Sequence, residues 1–465
     1  MDLTAFEPRF GFAWKAFGSD KTVLRGGYSI YHDSAWSMGG QGLWQNPPFA
    51  GESFGISFGG CATATAYCAT ALGQTPNVGT GAAIGFSDGF PILTPPVTPA
   101  NFQGNFITEN TNLKQGMVQQ FNVNVERQLP GQIVLTAGYA GSRGSHILSF
   151  GNNININTPM ACAGGKTPVP GYTLGCGPGG AFVPRNFPNF PFSSIFSIND
   201  FGRAHYNSLQ IKAETKSSRY GIYALIGYTY SRTYDSGYTD GLGTPIGAPY
   251  FPLPNWRKLD WALSQINLNN NFTGSVIYDL PFGKGKKFGS DWNNVENALL
   301  GNWQLIVIEK ITSGFPVFII NNSDNSGVNF LNSGNANAIN RPNQVGNPFQ
   351  AGTIAGCVGP STLGSKTVYF NPCAFAATPT GAIGNASRAP ISGPDFVNTD
   401  FSVIKRFALP WESTGLDFRV EFFNLFNHAQ FGLPANDLNS PTQFGRISST
   451  VNNPRLVQFG LKFNF

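Results

Sequence analysis

The sequence predicts an all-β fold, an antiparallel transmembrane β-barrel of about eleven strands with long loops on one side. Three observations carry that expectation: the pattern of the closing strand, the scarcity of charge, and a regular alternation of short and long connections. In the last twelve residues Val457, Phe459, Leu461, Phe463 and Phe465 share one face of an extended strand. Leu456, Gln458, Gly460, Lys462 and Asn464 share the other, because strand side chains alternate with a period of two. A strand between lipid and a polar lumen needs that pattern over about 9–11 residues. The alternative is the edge strand of an ordinary sandwich. Lys462 tests the register, since a one-residue slip turns it outward and the five apolar side chains inward. A cation facing lipid costs about 2–4 kcal/mol at the midplane and less near the interface. Each apolar side chain is worth about 1.5–3 kcal/mol on burial, so burial sets the register.

Charged residues make up 11% of the 465, where a soluble domain carries about 25%. Aromatics reach 14%, with 41 Phe and 15 Tyr, and no run approaches the roughly 18 apolar residues of a membrane helix. That combination suits a barrel, in which alternation dilutes the apolar residues. The net charge of +5 comes without a basic cluster, so nucleic acid is not indicated. The six cysteines form three sequence-local pairs in Gly, Pro and Ala-rich stretches: Cys61/Cys68, Cys162/Cys176 and Cys357/Cys373. No CxxC occurs and the four histidines lie far apart, which argues against zinc. Disulfides fit these pairs better than free thiols and imply an oxidising compartment. Met1-Asp2-Leu3-Thr4 has no basic region followed by an apolar core, so an exported chain starting there is expected to be incomplete.

Taken in order, Phe10, Phe12 and Trp14 alternate against Gly11, Ala13 and Lys15. The turn Gly18-Ser19-Asp20-Lys21 then leads to Leu24, Gly26, Tyr28 and Ile30, a tight hairpin. After a long segment at about 32–114, Phe121, Val123 and Val125 form a strand that Leu129-Pro130-Gly131 turns back into Ile133, Leu135, Ala137 and Tyr139. Residues 142–204 read as the second long loop. Leu209, Ile211 and Ala213 follow against Gln210, Lys212, Glu214 and Lys216, and a turn at Ser217-Ser218-Arg219 leads to Tyr220, Ile222, Ala224, Ile226, Tyr228 and Tyr230. The third long loop covers about 232–263, and Ile266, Leu268, Phe272, Val276 and Tyr278 begin the next strand. The connection 281–301 holds a short helix around Asn293 to Leu300, and Trp303 to Thr312 is a strand with charge on both faces at Glu309 and Lys310. A loop at about 314–394 leads to Val397, Thr399, Phe401 and Val403, and Ala408-Leu409-Pro410-Trp411 to Leu416, Phe418, Val420 and Phe422. The last loop, about 427–453, precedes the closing strand.

Short and long connections therefore alternate strictly, and all three cysteine pairs fall on the long side, as in barrels with short turns below and long loops above. A secreted sandwich or propeller does not require this. Eleven is an odd count, and single-chain bacterial barrels are normally even. An open sheet would leave backbone groups unpaired in lipid at several kcal/mol each. The count is off by one, or the chain is half of a barrel of the 22-stranded, plugged kind.

Several stretches resemble TonB-dependent outer-membrane receptors of the Oar-like subgroup. They are Pro8-Arg9-Phe10-Gly11-Phe12-Ala13-Trp14, Leu24-Arg25-Gly26-Gly27-Tyr28, the segment Gly138 to His146, the segment Glu421 to His428, and the closing strand. The resemblance implies that residues 1–465 are the C-terminal part of the receptor's barrel, with the plug and the regulatory-like domain not among them. It implies a location in the outer membrane of a Gram-negative type cell. It also implies uptake of a scarce large solute such as a siderophore, cofactor, oligosaccharide or peptide. Partners would be outer-membrane lipid, the plug, the TonB energy-coupling system and the assembly machinery, which in this family reads the terminal strand. Phe465, Phe463, Leu461 and Phe459 are therefore the expected assembly signal. A structural or adhesive outer-membrane protein and a passive porin are the alternatives.

No catalytic group, cofactor site or metal site is expected. Gly51-Glu52-Ser53-Phe54-Gly55 matches GxSxG but lacks the strand before and the helix after that a nucleophile elbow needs. Gly283-Lys284-Gly285-Lys286-Lys287 lacks phosphate-loop spacing and reads as a polar turn whose lysines meet anionic headgroups. Asn321 to Gly327 lacks the acidic spacing of a calcium loop. Asp417, Arg419 and Glu421, with Lys212, Glu214 and Lys216, are expected to line the lumen, either paired with one another or touching a plug. Trp36, Trp44, Trp256 and Trp261 either touch ligand or pack the long loops.

Overall fold

Eleven strands form one antiparallel meander in which sequence neighbours are sheet neighbours. They are β1 (Arg9–Lys15), β2 (Thr22–His32), β3 (Met117–Leu129), β4 (Ile133–Ser149), β5 (Ile195–Thr215) and β6 (Ile222–Asp235). After them come β7 (Asn270–Asp279), β8 (Trp303–Thr312), β9 (Phe396–Ala408), β10 (Gly415–Phe423) and β11 (Leu456–Asn464). The computed structural model describes residues 6–18, 20–32, 106–109, 111–149, 195–215, 221–236, 238–239, 245–246, 260–321, 341–379, 384–409 and 414–465. The strand ends joined through 16–21, 130–132, 216–221, 280–302 and 409–414 lie at one end of the sheet, and those joined by the longer stretches of sequence at the other. Among the described residues, β1 and β11 each pair on one side, so the sheet has two edges.

The register carries the alternation of each strand into its neighbour, because residues opposite one another in a ladder point to the same face. Following the pairings places Phe12, Leu24, Val123, Ala137, Ile211, Tyr228, Val276, Val307, Phe401, Val420 and Phe459 on a single face. The opposite face carries Arg25, Asn124, Thr136, Lys212, Thr229, Thr273, Lys310, Asp400, Arg419 and Gln458. The apolar side chains are not packed against protein: Phe459 and Leu461 are each 69% exposed and Phe10 is 70% exposed. Gly26 and Gly141 lie opposite Phe12 and Phe121 in the ladders, where a Cβ would collide with the partner's ring. Glycine there lets the aromatic ring lie flat on the sheet.

The structure corrects three strand boundaries. Residues 142–149 and 195–204, expected in a loop, continue β4 and β5, giving strands of 17 and 21 residues. Their ladder persists beyond the expected crossing with bulges between Gly144, Ile147 and Ser149. About 9–11 residues cross a bilayer, so these two strands project well past it. Phe106–Glu109 adds a parallel pairing to the projecting part of β5. Conversely, Ile266 and Leu268 precede β7 rather than belonging to it, and Asn267 there is buried, accepting from the Thr233 N–H at 2.7 Å. The expected helix is α1 (Asn294–Leu300), started by a capping box in which Asn293 caps Val295 and Glu296 while Glu296 returns to the Asn293 N–H.

The buried core lies not under the sheet but in the long connections. Val317, Ile319, Phe370, Phe375, Ile391 and Phe444 pack together, with Phe370 edge-on to Phe444 at 5.1 Å. The connection after β8 and the one after β10 are knitted by Ile320 N–H to Asn436 O at 2.9 Å and Tyr369 N–H to Gly445 O at 2.8 Å. Cys357 and Cys373 form a disulfide within this cap. Arg341 pairs with Asp260, and Arg388 with Asp235 at the end of β6, all four side chains buried. No described helix is long and apolar enough to cross a membrane.

Candidate functional site

The polar face of the meander gathers the residues that the sequence singles out. Lys212, Glu214, Asp417, Arg419 and Glu421 all lie on it, in two groups separated by β6 to β9. Alternation along one strand puts like-facing residues two apart, and each group pairs internally in that way. Lys212 Nζ lies 3.1 Å from Glu214 Oε2 on β5, and Arg419 donates to Glu421 Oε1 at 3.3 Å on β10. Asp417 has Arg406 Nε at 3.8 Å on β9 and Lys462 opposite it on β11. Lys462 therefore takes the register that keeps its charge on the polar face. Lys216 and the turn it belongs to lie outside the described residues.

Elsewhere on β3 and β5 this face carries amides and hydroxyls. Asn124 donates to Asn122 at 3.2 Å and Gln210 to Ser208 Oγ at 3.1 Å. The exposed ion pairs Lys212–Glu214 and Arg419–Glu421 contribute little to stability, about 0–1 kcal/mol each. The chemical consequence of all these groups is a surface rich in donors and acceptors on one side of a sheet whose other side is hydrocarbon.

Glu309 and Lys405 also fall on the apolar face, and each is hydrogen-bonded locally. Glu309 accepts from the Thr399 hydroxyl at 2.6 Å. Lys405 turns back onto the carbonyls of Gly301 and Asn297 (3.2 Å), beneath the rings of Trp303 and Phe407. Lys310, by contrast, is on the polar face, which resolves the charge that the sequence places on both faces of β8. On β11, Phe459, Leu461 and Phe463 hold the apolar face, and Phe465, 96% exposed, stacks on Phe463 at 5.9 Å.

At the long-connection end lies a recess that sequence reasoning missed, lined by Asn112, Lys114, Ser145, His146, Asp200 and Arg203. Asp200 receives the Lys114 N–H at 3.1 Å and lies 3.1 Å from His146 Nδ1. His146 sits at φ +54°, a conformation that strains a residue with a Cβ. The recess depends on β4 and β5 projecting beyond their expected ends, so the loop assignment of 142–204 hid it. Trp261 packs against His205 and Tyr234 at 4.9 and 6.2 Å. Trp36, Trp44, Trp256, Gly51 to Gly55, Asn322 to Gly327 and the cysteines Cys61, Cys68, Cys162 and Cys176 lie outside the described residues. Among the described residues no group of three or more His, Cys, Asp or Glu side chains is arranged to hold a metal ion.

No curated protein matches the chain. Among solved structures, it is similar to the outer membrane transporter YddB from Escherichia coli, with a TM-score of 0.43 at 9% identity over 99% of this chain and 40% of that one. It is likewise similar to the siderophore receptor PirA from Acinetobacter baumannii, with a TM-score of 0.41 at 10% identity over 99% and 41%. The pyoverdine receptor FpvA from Pseudomonas aeruginosa PAO1 gives 0.40 at 8% identity over 99% and 36%. The chain thus spans 36–41% of the length of these three structures. The family model of the outer membrane beta barrel domain matches residues 1–458. With its hydrocarbon face, its polar face and its one-sided long connections, the chain belongs to the outer membrane beta barrel domain family and resides in a Gram-negative type outer membrane.

Proposed function

We propose that this chain is the C-terminal part of the barrel of a TonB-dependent receptor of the Oar-like kind, serving uptake of a scarce large solute across the outer membrane. The observation that carries the reading is the division into a mainly apolar and a mainly polar face across eleven antiparallel strands. Eleven is half of twenty-two, the size of barrel that encloses a plug rather than an open channel. Asp417, Arg419, Glu421, Lys212 and Glu214 then face the lumen, where a plug is their partner in the full-length protein. The second half-sheet joins the edges of β1 and β11. Phe465, with Phe463, Leu461 and Phe459, is the assembly signal. The solute is a siderophore, cofactor, oligosaccharide or peptide.

The packed cap over the long-connection end favours a second reading, an adhesive outer-membrane protein whose loops bind a partner. The sequence upstream of Met1 in the native gene, together with the energy dependence of uptake, tests the receptor reading. A frame that continues into further strands and a plug, in a product whose solute uptake stops when the inner membrane is de-energised, supports the receptor. A stop codon immediately before Met1, or uptake indifferent to the energy source, overturns it.

A further inference from the structure

The connection between β7 and β8, residues 280–302, is folded but covers nothing. Phe282 and Phe288 bring their rings to 5.6 Å across a turn closed by Gly283 N–H to Phe288 O at 2.8 Å. Lys284 ties this turn to the following helix through its N–H to Asn297 Oδ1 at 2.8 Å and its Nζ to Asn294 Oδ1 at 2.7 Å. The far end is fixed by Lys405 on the Gly301 and Asn297 carbonyls and by Trp303 Nε1 donating to Leu299 O at 3.0 Å. Yet α1 buries none of its residues. Val295, Leu299 and Leu300 are 68, 66 and 57% exposed, and Phe282 and Phe288 are 40 and 48% exposed. A seven-residue helix in water is marginal, and leaving an apolar group of this size wet is unfavourable.

What lies beside this element decides its occupant. It leads directly into Trp303, which with Leu305 and Val307 belongs to the apolar face that meets hydrocarbon. Its apolar residues therefore continue the lipid-facing surface at the short-turn end. Beside them Lys284, Lys286 and Lys287 fall within four residues, against Asp291 and a Glu296 held in the capping box. Lys286 and Lys287 are exposed. Apolar side chains at acyl-chain depth with cations at headgroup depth are the makings of an interfacial anchor.

We propose that residues 280–302 are a membrane-surface anchor on the periplasmic leaflet of the outer membrane, binding anionic glycerophospholipid. Phe282, Phe288, Val295, Leu299 and Leu300 enter the acyl-chain boundary, and Lys286 and Lys287 meet the headgroup phosphates. Lys284 and Lys405 hold the element in shape. The anchor does not depend on which solute, if any, the barrel transports.

The test is amide hydrogen exchange on the native full-length protein in nanodiscs of phosphatidylcholine alone and of phosphatidylcholine mixed with phosphatidylglycerol. The expected result is exchange over 284–300 several-fold slower in the anionic discs, with β7 and β8 equally protected in both. K286Q/K287Q should abolish the lipid difference, weakening phosphatidylglycerol retention in native mass spectrometry about tenfold or more. V295S/L299S should speed exchange in both kinds of disc. Equal exchange in the two lipids, or a lysine variant that keeps the native difference while β7 and β8 stay protected, overturns the proposal. Retention measured on the native protein keeps the test valid if either variant fails to fold, because equal retention of the two lipids overturns the proposal by itself.

Discussion

At the residue scale the most consequential groups lie where the cap meets the sheet. Arg388 and Asp235 are both buried, and burial pushes the guanidinium below its ordinary value while the carboxylate opposes the shift. Removing one partner leaves the other charge in a water-poor site. Arg388→Ala should therefore destabilise the cap by about 3–5 kcal/mol, read as faster proteolysis of the long connections. D235L/R388M, which removes both charges, should recover most of that loss. Tyr369 supplies a pH dependence. Its hydroxyl donates to Ser392 O at 3.0 Å, and burial, with the charge of Asp395, pushes its ionisation up to about 12. The folded pKa is raised above the unfolded value of 10.0, so this contribution is complete below 10 and lost as pH rises toward about 12. Cap protection measured through that window should fall in the native protein and stay flat in Tyr369→Phe.

At the element scale β11 makes the face assignment testable. Phe459 lies opposite Val420 and Gln458 opposite Glu421, one residue apart but on opposite faces. Phe459→Lys puts a cation into hydrocarbon and should cost about 2–4 kcal/mol in folding into bilayers. Gln458→Lys, opposite a carboxylate on the polar face, should cost less than about 1 kcal/mol. Equal costs would mean that the faces are wrongly assigned. Element existence was highly legible in the sequence, because period-two alternation between turn residues is a local property. Element length was less so. β4 and β5 run on through Ser142 to Ser149 and Ile195 to Ala204, where Gly, Arg, His and Asn interrupt the apolar alternation. Beyond the hydrocarbon no lipid demands apolar residues, and pairing between the two strands, invisible in either alone, sustains the ladder.

At the scale of the whole molecule, usual burial is inverted. Among the described residues a large apolar surface lies exposed on one face of eleven strands, and the compact core sits in the connections at one end. A water-exposed sheet of this character would aggregate, whereas a bilayer covers it. The same inversion fits a composition with only 11% charge, since amides and hydroxyls share the polar face with the charged side chains. It also bears on Glu309 and Lys405, which lie on the apolar side. Each occurs where a neighbouring group, Thr399 for Glu309 and the end of α1 for Lys405, satisfies it.

The sequence by itself determined the all-β antiparallel class, the eleven-strand path seen among the described residues, helix α1 and the sharing of one polar face by Lys212, Glu214, Asp417, Arg419 and Glu421. All of these follow from side-chain periodicity or capping chemistry within a few residues of chain. Only the tertiary structure decided that these charges form two separate groups, and that the recess around His146 and Asp200 exists. It alone revealed that Arg388 reaches Asp235 across 153 positions of sequence and that α1 leaves its apolar residues uncovered. Those facts depend on which strands become neighbours and where long connections fold back, and no local pattern in a polar or glycine-rich stretch encodes such distances.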